Sequence, residues 1–281
     1  MQNKASVLKN LNKFNFKVKK YLGQNFLTDS FIISKIAELS NINKDTVVIE
    51  IGPGTGALTE MLLPLSKKVI AYEIDSEVIP LLKENTKAYD NLEIVVEDIL
   101  KADLSKIENI KEEVVSIANL PYYITSPIID LFLNKMTNVK RALFMVQKEV
   151  ADRLSASVNT KDYNSFSILV QYYAHCKKVL NVPRTCFVPE PNVDSVVIEL
   201  EKYERDKKPK NEELFVKVVQ TSFKERRKML VNNLSAQFKL SKDLLKNLLN
   251  ELDIKEDARG EILSIDDYIN LTDKLEEILW A

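Results

Sequence analysis

The chain has 281 residues, 45% hydrophobic and 29% charged, with a formal net charge of −1. That length holds one large domain plus a small one, and the balance is that of a soluble globular protein. No apolar run approaches the ~18 residues a membrane helix needs.

Two cysteines, Cys176 and Cys186, make neither a disulfide framework nor a zinc site, and a reducing cytosol fits that usage. The single histidine, His175, reads as an ordinary helix or strand residue. Without a Gly-x-Ser-x-Gly elbow, Ser-His-Asp hydrolysis has little to stand on, and no His/Cys/carboxylate cluster suggests a metal. Charge is unevenly spread. Residues 1–20 carry six lysines and no acid, and residues 202–228 carry ten Lys/Arg against five acids. From Asp243 onward there are eleven acids against four bases. Such asymmetry suggests a polyanion-facing surface and a solvated acidic end.

In chain order, the basic arm of residues 1–18 has no apolar core like that of a signal peptide. After Gly23-Gln24-Asn25-Phe26-Leu27, apolar residues from Phe31 to Leu39 recur near helical spacing, with Asp29 or Ser30 able to cap them. Residues 41–45 read as a turn, and Thr46-Val47-Val48-Ile49-Glu50-Ile51 as a buried strand. Gly52-Pro53-Gly54-Thr55-Gly56 follows directly and holds three of the chain's five glycines, ahead of a helix over 57–65. Strand, glycine loop and helix together present free backbone N–H groups and close-approach space at the strand's carboxyl end.

A second strand over 68–74 carries Glu73, 19 residues past Gly54, the offset at which an acid meets ribose hydroxyls. Asp75-Ser76 can cap the next helix. A third strand over 92–98 ends in Asp98, and a fourth over 114–118 runs into Asn119-Leu120-Pro121-Tyr122-Tyr123. There the Asn119 side-chain oxygen and the Leu120 carbonyl can accept from an amino group. Pro121 stiffens the turn, and the Tyr122 ring can stack on the plane that carries the amine. A flat exocyclic amine such as adenine's suits that clamp.

Helix over 126–135, strand over 141–146 and helix over 147–154 continue the alternation, which argues a doubly wound, mostly parallel α/β sheet. Ligands of such sheets collect at the strand carboxyl ends, where Glu50–Gly56, Glu73, Asp98 and Asn119 all fall. Cys186-Phe187-Val188-Pro189-Glu190-Pro191 is a rigid loop, and residues 193–200 alternate as an edge or antiparallel strand. Residues 202–211 read as a linker. Helical patterns then cover 212–222, 224–235, 241–252 and 264–279, the last with a Ser264/Asp267 capping box.

The glycine spacing is Gly-x-Gly-x-Gly rather than the Gly-x-Gly-x-x-Gly of dinucleotide enzymes. S-adenosylmethionine has no pyrophosphate, so a loop with room for methionine and ribose suffices. Glu73 would hold the ribose diol, and Asp98 would accept from the cofactor's adenine amino group.

These residues resemble the small-subunit (16S-type) ribosomal RNA adenine N6,N6-dimethyltransferases. The shared motifs are Gly23–Leu27, Glu50–Thr59, Asn119–Tyr122, Gln147–Leu154, Phe187–Ser195 and Phe223–Leu234. The resemblance runs from about Lys19 to the end, and as a combination it is highly specific. It implies a Rossmann-like, mostly parallel seven-stranded methyltransferase domain over 19–205 and a small all-helical domain over 206–281. It carries cofactor contacts onto Asn25, Leu27, Gly52, Gly54, Glu73, Asp98 and Asn119. It sets the target adenine between Tyr122 and Phe187, with Asn119, Leu120 and Pro121 beside it. The implied target is a pair of adjacent adenines in the 3′-terminal hairpin loop of small-subunit RNA. The implied partner is the small ribosomal subunit precursor, met by a cytoplasmic monomer without metal or membrane.

Arg226, Arg227 and Lys228 form the expected RNA-facing patch, and the arm has no assigned role. Gly260 stands where the family usually has alanine. The antibiotic-resistance class acting on large-subunit RNA shares the core motifs, although the segment from Phe223 onward favours the small-subunit branch. A DNA or small-molecule adenine methylase, and a non-catalytic assembly or transcription factor on the same fold, stay open on sequence alone.

Overall fold

The protein's computed structural model describes residues 4–280, apart from the side chains at positions 6 and 20, so the first three residues of the basic arm lie outside the described residues. Helix α1 (Lys4–Lys13) and the short strand β1 (Phe26–Leu27) precede α2 (Ser30–Leu39), whose first amides, of Phe31 and Ile32, donate to the Asp29 carboxylate. An unbroken alternation follows: β2 (Val47–Ile51), α3 (Ala57–Leu62), β3 (Lys68–Glu73), α4 (Ile79–Thr86) and β4 (Leu92–Val96). It continues through α5 (Ser105–Glu108), β5 (Val114–Asn119), α6 (Thr125–Asn134) and β6 (Arg141–Gln147). Next come α7 (Lys148–Leu154), α8 (Ser165–Tyr173), β7 (Ala174–Val182), β8 (Phe187–Val188) and β9 (Ser195–Lys202). Four helices complete the chain: α9 (Glu212–Ser222), α10 (Leu230–Phe238), α11 (Lys242–Glu251) and α12 (Ile265–Leu279).

Two compact units result. The first runs to Ala151 and takes in His175–Lys202; the second joins Asp152–Ala174 to the chain from Tyr203. The expected division at 205/206 was a single cut. The observed one is discontinuous, because α8 packs on α9 and joins the helical core of the second unit.

In the first unit seven strands form one sheet in the order β4-β3-β2-β5-β6-β9-β7. The pairs among β4, β3, β2, β5 and β6 are parallel, and β9 runs antiparallel to β6. This is the expected doubly wound, Rossmann-like methyltransferase sheet. The β-branched runs explain why its centre is buried on both faces. Val48, Ile49, Val69, Val115 and Ile117 are all buried completely, as sheets covered by crossover helices require. Phe132 of α6 meets Phe144 of β6 edge-on, ring centroids 5.7 Å apart. Register then levels the strand ends. Ile51 pairs with Tyr72 on one side and Ala118 on the other, so Gly52, Glu73 and Asn119 emerge side by side.

The second unit buries Tyr163, Phe215, Leu234, Leu249, Tyr268 and Leu275 in an all-helical core. Ser264 and Asp267 form the reciprocal capping box that starts α12. Gly260 is tightly enclosed: a Cβ there would stand 2.9 Å from the Tyr268 hydroxyl and 3.1 Å from the Ser222 carbonyl oxygen. The helix expected over 224–235 begins only at Leu230. Residues 223–229 turn instead, and the Asn233 side-chain amide donates to the carbonyls of Ser222 and Glu225 to hold that turn.

Phe132→Ala is expected to destabilise the chain by about 3–5 kcal/mol, the usual cost of emptying a fully buried aromatic site. Phe31→Ala, at a side chain 66% exposed, is expected to stay within about 0.5 kcal/mol. Denaturant titration of the two variants measures the contrast.

Candidate active site

The carboxyl ends of β2, β3, β4 and β5 surround a cavity of about 290 Å3. Asn25, Leu27, Gly52, Gly54, Glu73, Asp98, Asn119, Leu120, Pro121 and Tyr122 all line it. Five separated stretches of sequence therefore meet in one place, four of them where strand order and register require. Ile74 and Leu100 line it too, unmarked by sequence reasoning, as do Glu50 and Tyr123, which lie in its motifs without an assigned role.

The glycine loop owes its shape to crowding as much as to backbone freedom. Gly54 has φ +55°, and a Cβ there would sit 3.1 Å from Cδ1 and Cε1 of Phe26. At Gly56 (φ +84°), a Cβ would approach Leu82 Cδ1 to 2.7 Å. Any side chain at either position would strain the loop and push aside the residues packed on it. Asn85 fixes the same loop from α4, its amide donating to the Thr55 carbonyl at 2.7 Å.

Glu73 ties two walls together. Its Oε2 accepts from the Gly54 amide at 3.2 Å and its Oε1 from the Asp75 amide at 2.9 Å. Burial raises its pKa and the Asp75 charge adds to that, while the backbone bonds pull the other way. Asp98 is held by the Leu100 amide on Oδ1 at 3.1 Å, with the Lys101 ammonium 3.9 Å from Oδ2. Among the described residues, no group of His, Cys, Asp or Glu is arranged to hold a metal ion, and no helix is long and apolar enough to cross a membrane.

Glu50 is the least conventional member. It is only 2% exposed, and its Oε2 has no hydrogen-bond partner among the described residues. Burial pushes it up to about 8. The nearby Thr59 hydroxyl pulls the other way, and the Glu73 charge pushes it further up. The sequence does carry a signal for it: one acid inside the apolar strand Val47-Val48-Ile49-Glu50-Ile51.

At the far wall, the Asn119 side-chain amide donates to the Asn25 carbonyl at 3.0 Å. Its nitrogen is thereby engaged, and its oxygen is left as an acceptor. Tyr122 lines the cavity with its hydroxyl 2.9 Å from Ser195 Oγ at the start of β9, and burial raises its pKa. Phe187 departs from expectation. It is completely buried within the first unit's core, opposite Leu27 in the β1–β8 pair, and does not line the cavity. Tyr122 therefore faces the cavity without Phe187 as a second open ring. Arg226, Arg227 and Lys228 belong to the second unit, on the turn between α9 and α10. Arg226 donates to the Lys161 carbonyl at 2.7 Å, and Lys228 pairs with Glu225.

The profile of the ribosomal RNA adenine dimethylase family matches residues 15–275. Ribosomal RNA small subunit methyltransferase A of Bacillus pumilus is 45% identical over 278 residues, covering 96% of this chain and 95% of that protein. The protein of the same name from Clostridium acetobutylicum is 44% identical, with 94% and 95% covered. Among solved structures, a dimethyladenosine transferase from Plasmodium falciparum superposes with a TM-score of 0.75 at 30% identity, covering 90% of this chain and 98% of that one. The 23S rRNA methyltransferase ErmE superposes with a TM-score of 0.68 at 26% identity, covering 90% of this chain and 100% of that one.

The raised pKa of Glu50 makes a prediction about stability. In the unfolded chain its carboxyl ionises near 4.3, whereas in the folded chain it holds its proton to about 8. Folding then favours the protonated form, so stability falls as pH rises between those values and levels off above the higher one. Glu50→Gln, a neutral isostere, is expected to gain stability relative to the parent steadily from about pH 5 to 8 and to keep a constant margin above. Thermal melts at a series of pH values read this directly, and a margin that does not change with pH would remove Glu50 as the cause.

Proposed function

The chain belongs to the ribosomal RNA adenine dimethylase family, and from that we propose that it transfers methyl groups from S-adenosylmethionine to N6 of two adjacent adenines in the 3′-terminal hairpin loop of small-subunit ribosomal RNA. The observation that carries the proposal is that Asn119–Tyr122 borders the same cavity as Gly52, Gly54, Glu73 and Asp98. A clamp for an amine thus adjoins a pocket with the acceptors a nucleoside needs.

The residues fit the cofactor. Glu73 keeps lone pairs beyond the two that its backbone bonds use, enough for a ribose diol. Asp98 offers Oδ2 to an adenine amino group. Glu50, with an unpartnered buried oxygen, is the acceptor that the cofactor's ammonium group requires. When bound, S-adenosylmethionine supplies an electrophilic methyl on a sulfonium.

Everything else falls to the chain's own atoms. An adenine amino nitrogen is a poor nucleophile because its lone pair is delocalised into the ring. Asn119 Oδ1 and the Leu120 carbonyl, each accepting an amino hydrogen, favour a pyramidal nitrogen with its lone pair turned toward the methyl. Pro121 keeps the two acceptors in one rigid turn. Tyr122, tethered through Ser195, presents its ring to the base, which has to be splayed from its loop to arrive there. Positioning and electrostatics do this work without a side-chain base of tuned acidity. Arg226, Arg227 and Lys228 supply phosphate contacts for the RNA. The relatives that match at 44–45% over nearly their full length are named for the small subunit, which supports that subunit over the large one.

Incubation of unmodified small and large subunits with labelled S-adenosylmethionine, followed by nucleoside analysis, tests the reading. N6,N6-dimethyladenosine is expected in small-subunit RNA, and label confined to large-subunit RNA would overturn the assignment. Asn119→Ala is expected to lower kcat by about 100- to 1,000-fold, the usual cost of losing one preorganised polar contact to the reacting group. Its cofactor affinity should change far less.

A further inference from the structure

The lysine-rich arm reads from sequence as a surface for polyanions, yet its carboxyl end is already engaged inside the protein. Lys19 Nζ stands 2.7 Å from Asp75 Oδ1 and 3.0 Å from Glu77 Oε1, with 19% of its side chain exposed against 2% for Asp75. The Lys19 amide donates to Gln24 Oε1 at 2.8 Å, and the Gln24 side chain donates to the other Asp75 oxygen at 2.7 Å. Both carboxylate oxygens of a buried aspartate are therefore gripped from residues 19–24. The amide of that same aspartate holds Glu73 Oε1.

A second connection reaches the glycine loop. Val7 and Leu11 of α1 are buried with Phe26, Val78 and Leu81, and Phe14, Phe16 and Val18 pack against that group. The Phe16 ring meets the Phe26 ring at 6.0 Å and 66°. Phe26 in turn fills the space over Gly54. The arm thus reaches both backbone amides that hold Glu73: Asp75 through Lys19 and Gln24, and Gly54 through Phe26.

We propose that residues 4–19 act as a brace for the cofactor cavity, with Lys19 as a positioning residue that fixes the Glu73 carboxylate through Asp75. The inference rests on the reading of that cavity as the S-adenosylmethionine site. Its physical content is charge balance. Asp75 and Glu73 are like-charged neighbours in a largely buried setting, and a buried carboxylate that loses its cation strains whatever lies next to it. With Lys19 in place Asp75 is neutralised, its amide stays aimed at Glu73, and Glu73 can remain an ionised acceptor. Remove the ammonium, and the Asp75 turn and the Glu73 carboxylate both lose their fixed geometry. The other close ion pair of the arm, Lys13 with Glu84, is exposed at 3.8 Å and carries no comparable consequence.

The test measures affinity for S-adenosylmethionine by calorimetry, and steady-state kinetics on unmodified small subunits, for the full chain and its variants. Lys19→Met is expected to raise both Kd and KM for the cofactor about tenfold or more, a change of ~1.4 kcal/mol. The value of kcat at saturating cofactor and KM for the RNA should stay within about twofold, since uniform binding is what is lost. Lys19→Arg should restore most of the affinity. Adding Lys19→Met to Glu73→Gln should cost little beyond Glu73→Gln alone, because residues acting through one another are not additive.

Should Lys19→Met fail to fold, Gln24→Leu, which cuts the other grip on Asp75, is expected to shift cofactor affinity in the same direction. The inference is overturned if Lys19→Met leaves cofactor affinity untouched. It is equally overturned if the loss falls on KM for the RNA and deepens with salt, as for a phosphate contact. A parent chain that does not bind S-adenosylmethionine would instead bring down the reading of the cavity itself.

Discussion

One carboxylate, that of Glu73, sets the geometry on which the cavity depends. It sits at the end of β3, 7% exposed, and accepts from amides on two different loops. The last sheet-type bond of the glycine loop is from the Gly52 amide to the Tyr72 carbonyl, so Gly54 depends on Glu73. A short neutral side chain at position 73 would leave Gly54 and Asp75 to find other partners. The glycine loop would then lose one of its ties to β3 and keep the Gly52 amide's bond to the Tyr72 carbonyl at 2.9 Å. This position is available because β2 and β3 are parallel and level: Ile51 pairs with Tyr72, so the first residue beyond β2 lies beside Glu73. Sheet register thus becomes site geometry through a single side chain.

Much of this was legible from the amino-acid sequence, for physical reasons that differ between elements. The strands at 47–51, 68–73 and 114–119 are β-branched runs bounded by punctuating residues, the strongest local signal a buried parallel strand produces. The glycine pentapeptide stood out because the chain otherwise avoids glycine. Strand order was beyond reach of periodicity, since nothing local in Val114-Val115-Ser116-Ile117-Ala118 says that it pairs with β2. The resemblance supplied that architecture. Convergence of Glu73, Asp98 and Asn119 on one cavity then followed from the rule that parallel strands open at their carboxyl ends.

The elements that escaped have identifiable causes. Helix α8 passes into β7 between Tyr173 and Ala174 with no Gly or Pro between them, so no breaker marks the change of period. Its cap is Asn164 with Ser167 in the third helical position, a weaker signature than one with Glu or Gln. Residues 223–229 carried a helical pattern, but Asn233 reaches back to two of their carbonyls, a tertiary bond that propensity does not see. Phe187 belongs to the same class. Its neighbours in sequence suggest an aromatic poised at a loop base. The pairing of Phe187 with Leu27 turns that ring into the core. Burial was decided by a segment 160 residues away in the chain.

A net charge of −1 conceals how uneven the interior is. Glu50, Glu73 and Asp75 are all nearly fully buried around the ends of β2 and β3, and Lys19 pairs with Asp75 there. Three acids in such proximity cannot all ionise cheaply, and they separate into distinct states. Burial pushes Asp75 up, but the bonds from Lys19 and Gln24 outweigh it and hold its carboxyl below the ordinary range. Glu73 is raised despite two backbone bonds, and Glu50 is raised furthest, to about 8. The folded chain therefore carries a buried carboxyl whose pKa is raised to about 8 and whose Oε2 lacks a hydrogen-bond partner, a feature that lowers stability as pH rises toward that value. A ligand that brings a positive charge to Glu50 and hydroxyls to Glu73 compensates all of that at once, and only in the folded state. The burial that makes these acids costly to ionise is also what would favour a ligand able to compensate them. On the reading proposed above, the ammonium and ribose diol of the cofactor are the groups that would meet these acids.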